Sequence, residues 1–161
     1  MSLNVTFAVS TWLWASPFTT DTVSLFPKIK SMGFDAVEIP VEYPEKISAK
    51  KVNEALHDNA LAPIVCGAFG PSRDLTNDDP AVHEVCFKYI RECLDLCNAW
   101  DAKFLAGPMY SAVGKARMVS PEQKKLEWDR AVTNIHKVSR LASERGLELA
   151  LEPLNRFESD L

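Results

Sequence analysis

Five short apolar segments recur along the chain, separated by longer stretches in which apolar residues return at helical spacing. The five segments span residues 4–10, 35–40, 62–66, 103–107 and 147–151. Apolar residues on both faces of such a short segment indicate a strand covered on both sides, as in a parallel sheet flanked by helices. The stretches between them are long enough for crossover helices. The pattern therefore predicts the order β-α-β-α-β-α-β-α-β, with parallel pairing and right-handed connections.

Capping residues predict where the four helices begin and end. The expected N-caps are Ser24, Ser48, Asp79 and Ser120, and the expected ends are Gly33, Asn59, Asn98 and Gly146. Ser120 also opens a capping box that Gln123 would complete. The apolar faces are expected to carry Leu25, Ile29 and Met32 in the first helix, Val82, Cys86, Ile90, Cys93 and Cys97 in the third, and Leu126, Ile135, Val138 and Leu141 in the fourth.

Regular repetition of this unit is typical of two folds, a doubly wound sheet and a (β/α)8 barrel. No G-x-G-x-x-G or G-x-x-x-x-G-K-[ST] motif follows any strand, so a nucleotide site is not supported and the barrel is the better interpretation. A complete barrel takes about 250 residues. Residues 1–161 are therefore expected to form the first four βα units and the fifth strand of a single TIM-barrel domain. Its first and fifth strands would be open edges, with Val5, Ile64, Leu105 and Leu149 facing water, so self-association is expected.

Composition and charge narrow the possible partners. The chain is 47% hydrophobic and 25% charged, with a net charge of −4 and no cluster of Lys and Arg, so nucleic acid is not an expected partner. No apolar run approaches the roughly 20 residues of a membrane span, and the start lacks the features of a signal peptide. A cytoplasmic protein without membrane contact is expected. The four cysteines form no C-x-x-C pair and are expected to be buried thiols.

The fifth apolar segment delivers a carboxylate to its own end. Glu152 follows directly, and Pro153 stops the strand there because proline has no backbone donor. In parallel barrels, chemistry gathers at the carboxyl ends of strands, so Glu152 is a candidate active-site residue, with Arg156 and Glu158 a few positions further. A competing interpretation is that Glu152 and Arg156 form a structural ion pair.

Residues that could face a ligand also follow the other predicted strands. They are Phe7, Trp12 and Trp14 after the first, Glu38 after the second, Cys66 and Phe69 after the third, and Gly107 and Tyr110 after the fourth. Aromatic walls with a few carboxylates suit a sugar, although the aromatic residues could instead pack the end of the barrel. The three histidines, His57, His83 and His136, fall within predicted helices. A complete metal site of carboxylate and imidazole ligands therefore cannot be assembled from these residues alone.

The segment from Leu151 to Glu158, L-E-P-L-N-R-F-E, closely resembles the D-tagatose and D-psicose 3-epimerase group of ketose 3-epimerases, in the xylose-isomerase-like superfamily. The resemblance runs over the whole chain, through 33–38, Cys66 and Gly107. It implies a (β/α)8 barrel with a divalent ion, commonly manganese, cobalt or magnesium, held by two glutamates, an aspartate and a histidine. It also implies a longer protein, because the aspartate, the histidine and the second catalytic glutamate belong to a second half.

The resemblance further implies a function and residue roles. Glu152 would be a metal ligand and an acid/base group, Arg156 and Glu158 would position the substrate, Cys66 and Gly107 would line the pocket, and Phe7 and Trp14 would form an aromatic wall. The implied reaction is C3 epimerisation of a free ketose through an enediolate. Competing hypotheses are a sugar-acid isomerase, an inosose dehydratase, or an inactive half-barrel. An abasic-site endonuclease would want basic loops and more histidine ligands, which the sequence does not offer.

Overall fold

The computed structural model describes residues 5–161. The strands are β1 (Ala8–Ser10), β2 (Ala36–Val41), β3 (Ala62–Gly67), β4 (Phe104–Gly107) and β5 (Glu148–Leu151). The helices are α1 (Phe26–Ser31), α2 (Ala49–Asp58), α3 (Pro80–Trp100) and α4 (Pro121–Ser143). Strands and helices alternate as predicted.

The five strands form one parallel sheet in the order β1-β2-β3-β4-β5. A doubly wound sheet would reverse its strand order at a switch point, whereas strands that pair strictly in sequence order build the wall of a barrel. The order therefore supports the barrel that the sequence predicts. All five carboxyl ends lie at one edge of the sheet because every pair is parallel.

The first unit differs from the prediction. β1 covers Ala8–Ser10 only, and Asn4, where the strand was expected to begin, lies outside the described residues. Ser24 is not a helix cap. It lies within a 3₁₀ helix, Thr20–Leu25, whose entry is held by the Thr19 N–H donating to Thr22 Oγ1 (3.0 Å). This turn runs directly into α1, so the helical segment begins before Ser24 and leaves it no capping role.

The other three caps are confirmed. Ser48 accepts a hydrogen bond from Lys51 N, Asp79 from Ala81 N and Ser120 from Gln123 N. The capping box at Ser120 is only half formed, because the Gln123 amide donates instead to Glu127 Oε1 (2.8 Å). The helix α3 continues two residues beyond the predicted end, to Trp100.

The outer face of the sheet packs against the helices. Val37, Ile39, Val65 and Leu105 are fully buried, together with Cys86, Ile90, Cys93 and Cys97 of α3. All four cysteines are free thiols and buried, as predicted. Burial raises the pKa of Cys86 and Cys97 to about 12, so these two are neutral side chains of the core at physiological pH.

Three expectations about apolar side chains are wrong. Leu105 does not face water, because it lies opposite Val65 on the helix-covered face of the sheet. Met32 is 55% exposed because α1 ends at Ser31. Leu126 is 54% exposed. It lies nine positions before Ile135, or about two and a half helical turns, and therefore points away from that residue.

No helix among residues 5–161 is both long enough and apolar enough to span a membrane.

Candidate active site

A cavity of about 260 Å³ opens at the carboxyl ends of the strands. Its lining residues are Trp12, Cys66, Gly67, Ala68, Phe69, Pro108, Val113, Glu152, Leu154 and Glu158. Three of the residues that the sequence predicts for the site, Cys66, Glu152 and Glu158, therefore meet in one place. The wall combines two carboxylates with aromatic and aliphatic side chains.

Glu152 is held at the end of the sheet by its backbone. Its N–H donates to the Gly107 carbonyl oxygen (3.1 Å), which continues the β4–β5 pairing one residue past β5. The carboxylate itself is exposed. Among residues 5–161, no ion pair joins Glu152 to Arg156, so a structural ion pair between these two residues does not form. Arg156 instead lies over the Phe157 ring, 5.2 Å from its centroid, and does not line the cavity.

Cys66 is a buried residue of the cavity wall. Burial raises the pKa of its thiol to about 12, with additional contributions from the negative charges of Glu38 and Glu152. The thiol is therefore neutral at physiological pH and contributes a small apolar surface to the cavity rather than a nucleophile. The same interaction means that the carboxylates of Glu38 and Glu152 both influence this part of the barrel interior.

Gly107, which the resemblance assigns to the pocket lining, does not line the cavity itself but lies against two residues that do, Gly67 and Phe69. A Cβ atom on Gly107 would come within 2.8 Å of the Gly67 carbonyl oxygen and 3.3 Å of the Phe69 ring, and its φ of +130° favours glycine. The Phe69 ring occupies the space that side chains at Gly67 and Gly107 would need. It packs edge-on against the Tyr89 ring, with 5.6 Å between the ring centroids. Gly107 thus allows the Phe69 ring to line the cavity.

The structure brings Trp12 to the cavity, and neither Phe7 nor Trp14. Phe7 is 63% exposed and precedes β1 at the amino end of the sheet, where its N–H donates to the Asp35 carboxylate (3.1 Å). Trp14 packs against the core, with the Lys28 ammonium 5.6 Å from its ring centroid. Spacing within the aromatic loop could not distinguish Trp12 from Trp14. The substrate contacts expected of Phe7 and Trp14 stay a prediction.

Glu158 lies in a segment that returns from β5 to the loop after β4. Its carbonyl oxygen accepts a hydrogen bond from Gly114 N (2.8 Å), and its carboxylate accepts one from the Asn155 side chain. The preceding turn is anchored by Tyr110, whose hydroxyl accepts a hydrogen bond from Leu154 N (2.7 Å). These contacts hold Glu158 at the cavity wall.

A buried ionic network beside this segment was not predicted. Lys115 Nζ contacts Asp74 Oδ2 (2.8 Å) and Glu127 Oε2 (3.2 Å), and Arg117 joins Glu127 Oε2 (2.6 Å) to Asp160 Oδ2 (2.9 Å). The available signal was the helical phase of α4, since Glu127 lies four positions before Ala131 and eleven before Val138, on the same face of the helix. Burial raises the pKa of Glu127, but hydrogen bonds from Arg117, Gln123 and Lys115 outweigh burial and bring it to about 2.

Comparison with known proteins identifies the family. Residues 26–161 match the family described as the xylose isomerase-like TIM barrel. The chain belongs to this family. The barrel expected from the alternation of strands and helices is thereby confirmed as a xylose isomerase-like barrel.

Relatives of this xylose isomerase-like chain include proteins named as ketose 3-epimerases. D-psicose 3-epimerase of Ruminiclostridium cellulolyticum is 26% identical over 155 residues, which cover 92% of this chain and 51% of that protein. Ketose 3-epimerase of Arthrobacter globiformis is 25% identical over 150 residues, which cover 92% of this chain and 51% of that protein. The crystal structure of D-allulose 3-epimerase from Methylomonas sp. in complex with D-allulose superposes with a TM-score of 0.86 at 21% identity, over 97% of this chain and 54% of that one. The chain spans about half the length of the relatives it matches.

The donor atoms at the cavity suit a hard divalent cation only in part. Glu152 presents an accessible carboxylate, the type of oxygen donor that magnesium and manganese prefer. Within residues 5–161 of this xylose isomerase-like chain, no three His, Cys, Asp or Glu side chains lie close enough together to hold a metal ion. Glu152 fits the role of one ligand, and the remaining ligands would have to be supplied by other residues.

Proposed function

We propose that the protein is a sugar epimerase that inverts C3 of a free ketose, with Glu152 as one of two acid/base carboxylates. The observation that carries this proposal is the Glu152 carboxylate itself, exposed at the carboxyl end of β5 and lining a cavity with Cys66 and Glu158. The names of the relatives, which are ketose 3-epimerases, support the same reaction.

The proposed chemistry begins with proton transfer to Glu152. The hydrogen on C3 of a ketose is acidified by the neighbouring C2 carbonyl, so a carboxylate oxygen can remove it and leave an enediolate across C2 and C3. Reprotonation at C3 from the opposite face inverts the centre and restores the carbonyl. Inversion requires a proton-transferring group on each face, and we expect the second carboxylate in the half of the barrel that the resemblance implies.

The rest of the cavity supports a sugar rather than a flat aromatic or a charged ligand. Trp12, Phe69 and Val113 offer apolar surfaces for the C–H faces of a sugar, while Glu158 can accept hydrogen bonds from its hydroxyl groups. The neutral thiol of Cys66 adds no negative charge near the enediolate. Arg156 is proposed to approach the substrate from the mouth of the cavity.

We also propose that Glu152 is a ligand of a divalent cation, of which manganese, cobalt and magnesium are the candidates. When bound, such an ion would stabilise the negative charge that develops on the oxygens of C2 and C3. The four free, buried thiols are compatible with the reducing interior of a cell, and we propose a cytoplasmic location.

The test is Glu152→Gln in the whole protein, with exchange of the C3 hydrogen followed by NMR in D₂O with added magnesium, for each of two ketohexoses that are C3 epimers. We expect exchange to fall by roughly 10²- to 10⁴-fold for the epimer whose C3 hydrogen faces Glu152, the usual cost of losing a general base. Glu148→Gln is the matched control, since it makes the same change on an exposed residue of β5 and should leave exchange unaltered. Exchange of both epimers by Glu152→Gln within about tenfold of the wild type would reject the catalytic role.

The rival proposal is that the 161 residues by themselves form a half-barrel that binds sugar without turnover. It is favoured by the lack of three clustered metal-ligating side chains in the described part of the chain. Calorimetry of this chain with a ketohexose and manganese, alongside the exchange assay, separates the two: binding without exchange supports the half-barrel. Exchange by the 161 residues alone would reject it. A panel of ketoses, sugar acids and inososes given to the whole protein distinguishes a ketose epimerase from a sugar-acid isomerase and from an inosose dehydratase.

A further inference from the structure

We propose that Lys115 is a positioning residue for Glu158, because it locks the segment that carries Glu158 to the loop after β3 and to α4. The proposal rests on the proposed function in one respect only, namely that Glu158 contacts the sugar.

The backbone of Glu158 is attached to the loop after β4. Gly114 N donates to the Glu158 carbonyl oxygen (2.8 Å), and Asp160 N donates to the Lys115 carbonyl oxygen (2.9 Å). Lys115 and Ser159 pair through this short parallel bridge. The backbone position of Glu158 is therefore set by that of residues 114 and 115.

The side chain of Lys115 is in turn attached to two other parts of the chain. Its ammonium contacts the carboxylates of Asp74 (2.8 Å) and Glu127 (3.2 Å), and it donates to the Thr76 hydroxyl. The side chains of Asp74 and Glu127 are each only 4% exposed, and that of Lys115 is 13% exposed. Asp74 follows β3 and Glu127 belongs to α4, so one buried cation joins three separate parts of the chain at the Glu158 segment.

The other contacts of the segment are more exposed or uncharged. Arg117 also joins Glu127 to Asp160, but its side chain is 42% exposed and lies at the rim of the network. Ser111 Oγ and Ser159 Oγ are 2.9 Å apart, which is a single neutral hydrogen bond. Removing the Lys115 charge would leave two buried carboxylates without their common partner, and the segment would shift to hydrate them. A displacement of about 1 Å at a positioning group can cost about 10²-fold in rate.

The test is a double-mutant cycle between Lys115→Met and Glu158→Gln, measured in the whole protein as kcat and KM for a ketohexose. We expect Lys115→Met to lower kcat/KM by roughly tenfold or more, mainly through KM, and to abolish most of the additional effect of Glu158→Gln, because residues that act as one unit are not additive. Lys115→Arg keeps the charge and should restore part of the loss. Lys125→Met is the matched control, an exposed lysine paired with Asp129 at 2.7 Å, and should change neither constant.

The proposal would be overturned if Glu158→Gln changed kcat/KM by the same factor in the wild type and in Lys115→Met. A Lys115 that only stabilised the fold would lower kcat/KM by the same factor with and without Glu158→Gln. If Lys115→Met does not fold, Asp74→Asn replaces it in the cycle. Asp74→Asn removes the carboxylate charge that holds the Lys115 ammonium (2.8 Å) and should show a coupling to Glu158 of the same sign. Additivity in that cycle would also overturn the proposal.

Hydrogen exchange separates this proposal from the proposed function. In Lys115→Met, the amides of Gly114 and Asp160 should exchange faster while those of α3 stay protected, whether or not the protein epimerises ketoses. If the wild type does not epimerise ketoses but Lys115→Met still shows this pattern of amide exchange, the proposed function is rejected and the positioning of Glu158 by Lys115 is supported. Unchanged exchange at Gly114 and Asp160 would overturn the positioning role.

Discussion

The backbone N–H of Glu152 donates to the carbonyl oxygen of Gly107 at 3.1 Å, so the proposed base follows the last paired residues of β4 and β5. The position of this carboxylate therefore depends on how closely β4 approaches β3. That approach requires a residue without a side chain at position 107, since a Cβ atom there would lie 2.8 Å from the Gly67 carbonyl oxygen.

Gly107→Ala is accordingly expected to destabilise the protein more than Gly146→Ala. Both glycines have positive φ, +130° and +70°, but a Cβ atom would meet other atoms within 4 Å at Gly107 and none at Gly146. Overpacking in a close-packed region costs about 1–3 kcal/mol, and it adds to a backbone strain that is itself larger for alanine at φ +130° than at +70°. Urea unfolding measures the difference, and equal losses in the two variants would contradict the close approach of β3 and β4.

The pKa of Glu127, lowered to about 2, predicts a loss of stability in acid. A carboxyl group whose folded-state pKa lies below its ordinary value of 4.5 stabilises the protein above pH 4.5, and this contribution falls as the pH drops toward 2. The free energies of unfolding of the wild type and of Glu127→Gln should therefore differ by about 1–3 kcal/mol at neutral pH and become equal in acid. A difference that stayed constant from pH 6 to about pH 2.5 would contradict the assigned network.

The two tryptophans of the loop after β1 are expected to separate binding from stability. Trp12 lines the cavity and is 44% exposed, so Trp12→Ala should raise KM for the ketose with little change in Tm. Trp14 packs against the core, so Trp14→Ala should lower the free energy of unfolding by up to about 3 kcal/mol. Steady-state kinetics and thermal unfolding of both variants test this. The reverse pattern would restore Trp14 as the aromatic wall that the resemblance implies.

Self-association is expected for the 161-residue chain by itself. Beside β5 lies a mostly apolar groove of about 430 Å³, lined among others by Trp128, Val132 and Leu151. Among the described strands, β1 and β5 each pair on one side only. Exposed strand edges and apolar surface favour association between copies. Light scattering should report a dimer or larger species, and a stable monomer at tens of micromolar would contradict the expectation.

Much of the fold could be predicted because its signals are local. Asp79 followed by proline, Ser48 and Ser120 cap their helices through hydrogen bonds to residues two or three positions away, and such contacts depend little on the rest of the chain. The order of strands and helices follows in the same way from short apolar segments. The octapeptide ending at Glu158 likewise carried the family resemblance without reference to any contact.

Position around a helix or along a loop required the tertiary structure. Glu127 is buried and the adjacent Leu126 is exposed, although hydrophobicity alone predicts the reverse. The Glu127 carboxylate is surrounded by Gln123 of its own helix and by Lys115 and Arg117 of the preceding loop. Trp12 and Trp14 are chemically alike and two positions apart, so only the path of the loop decides which one reaches the cavity. By itself, the sequence determined that Glu152 ends a parallel strand in a barrel. The tertiary structure decided which side chains surround it, because those contacts join residues that are distant along the chain.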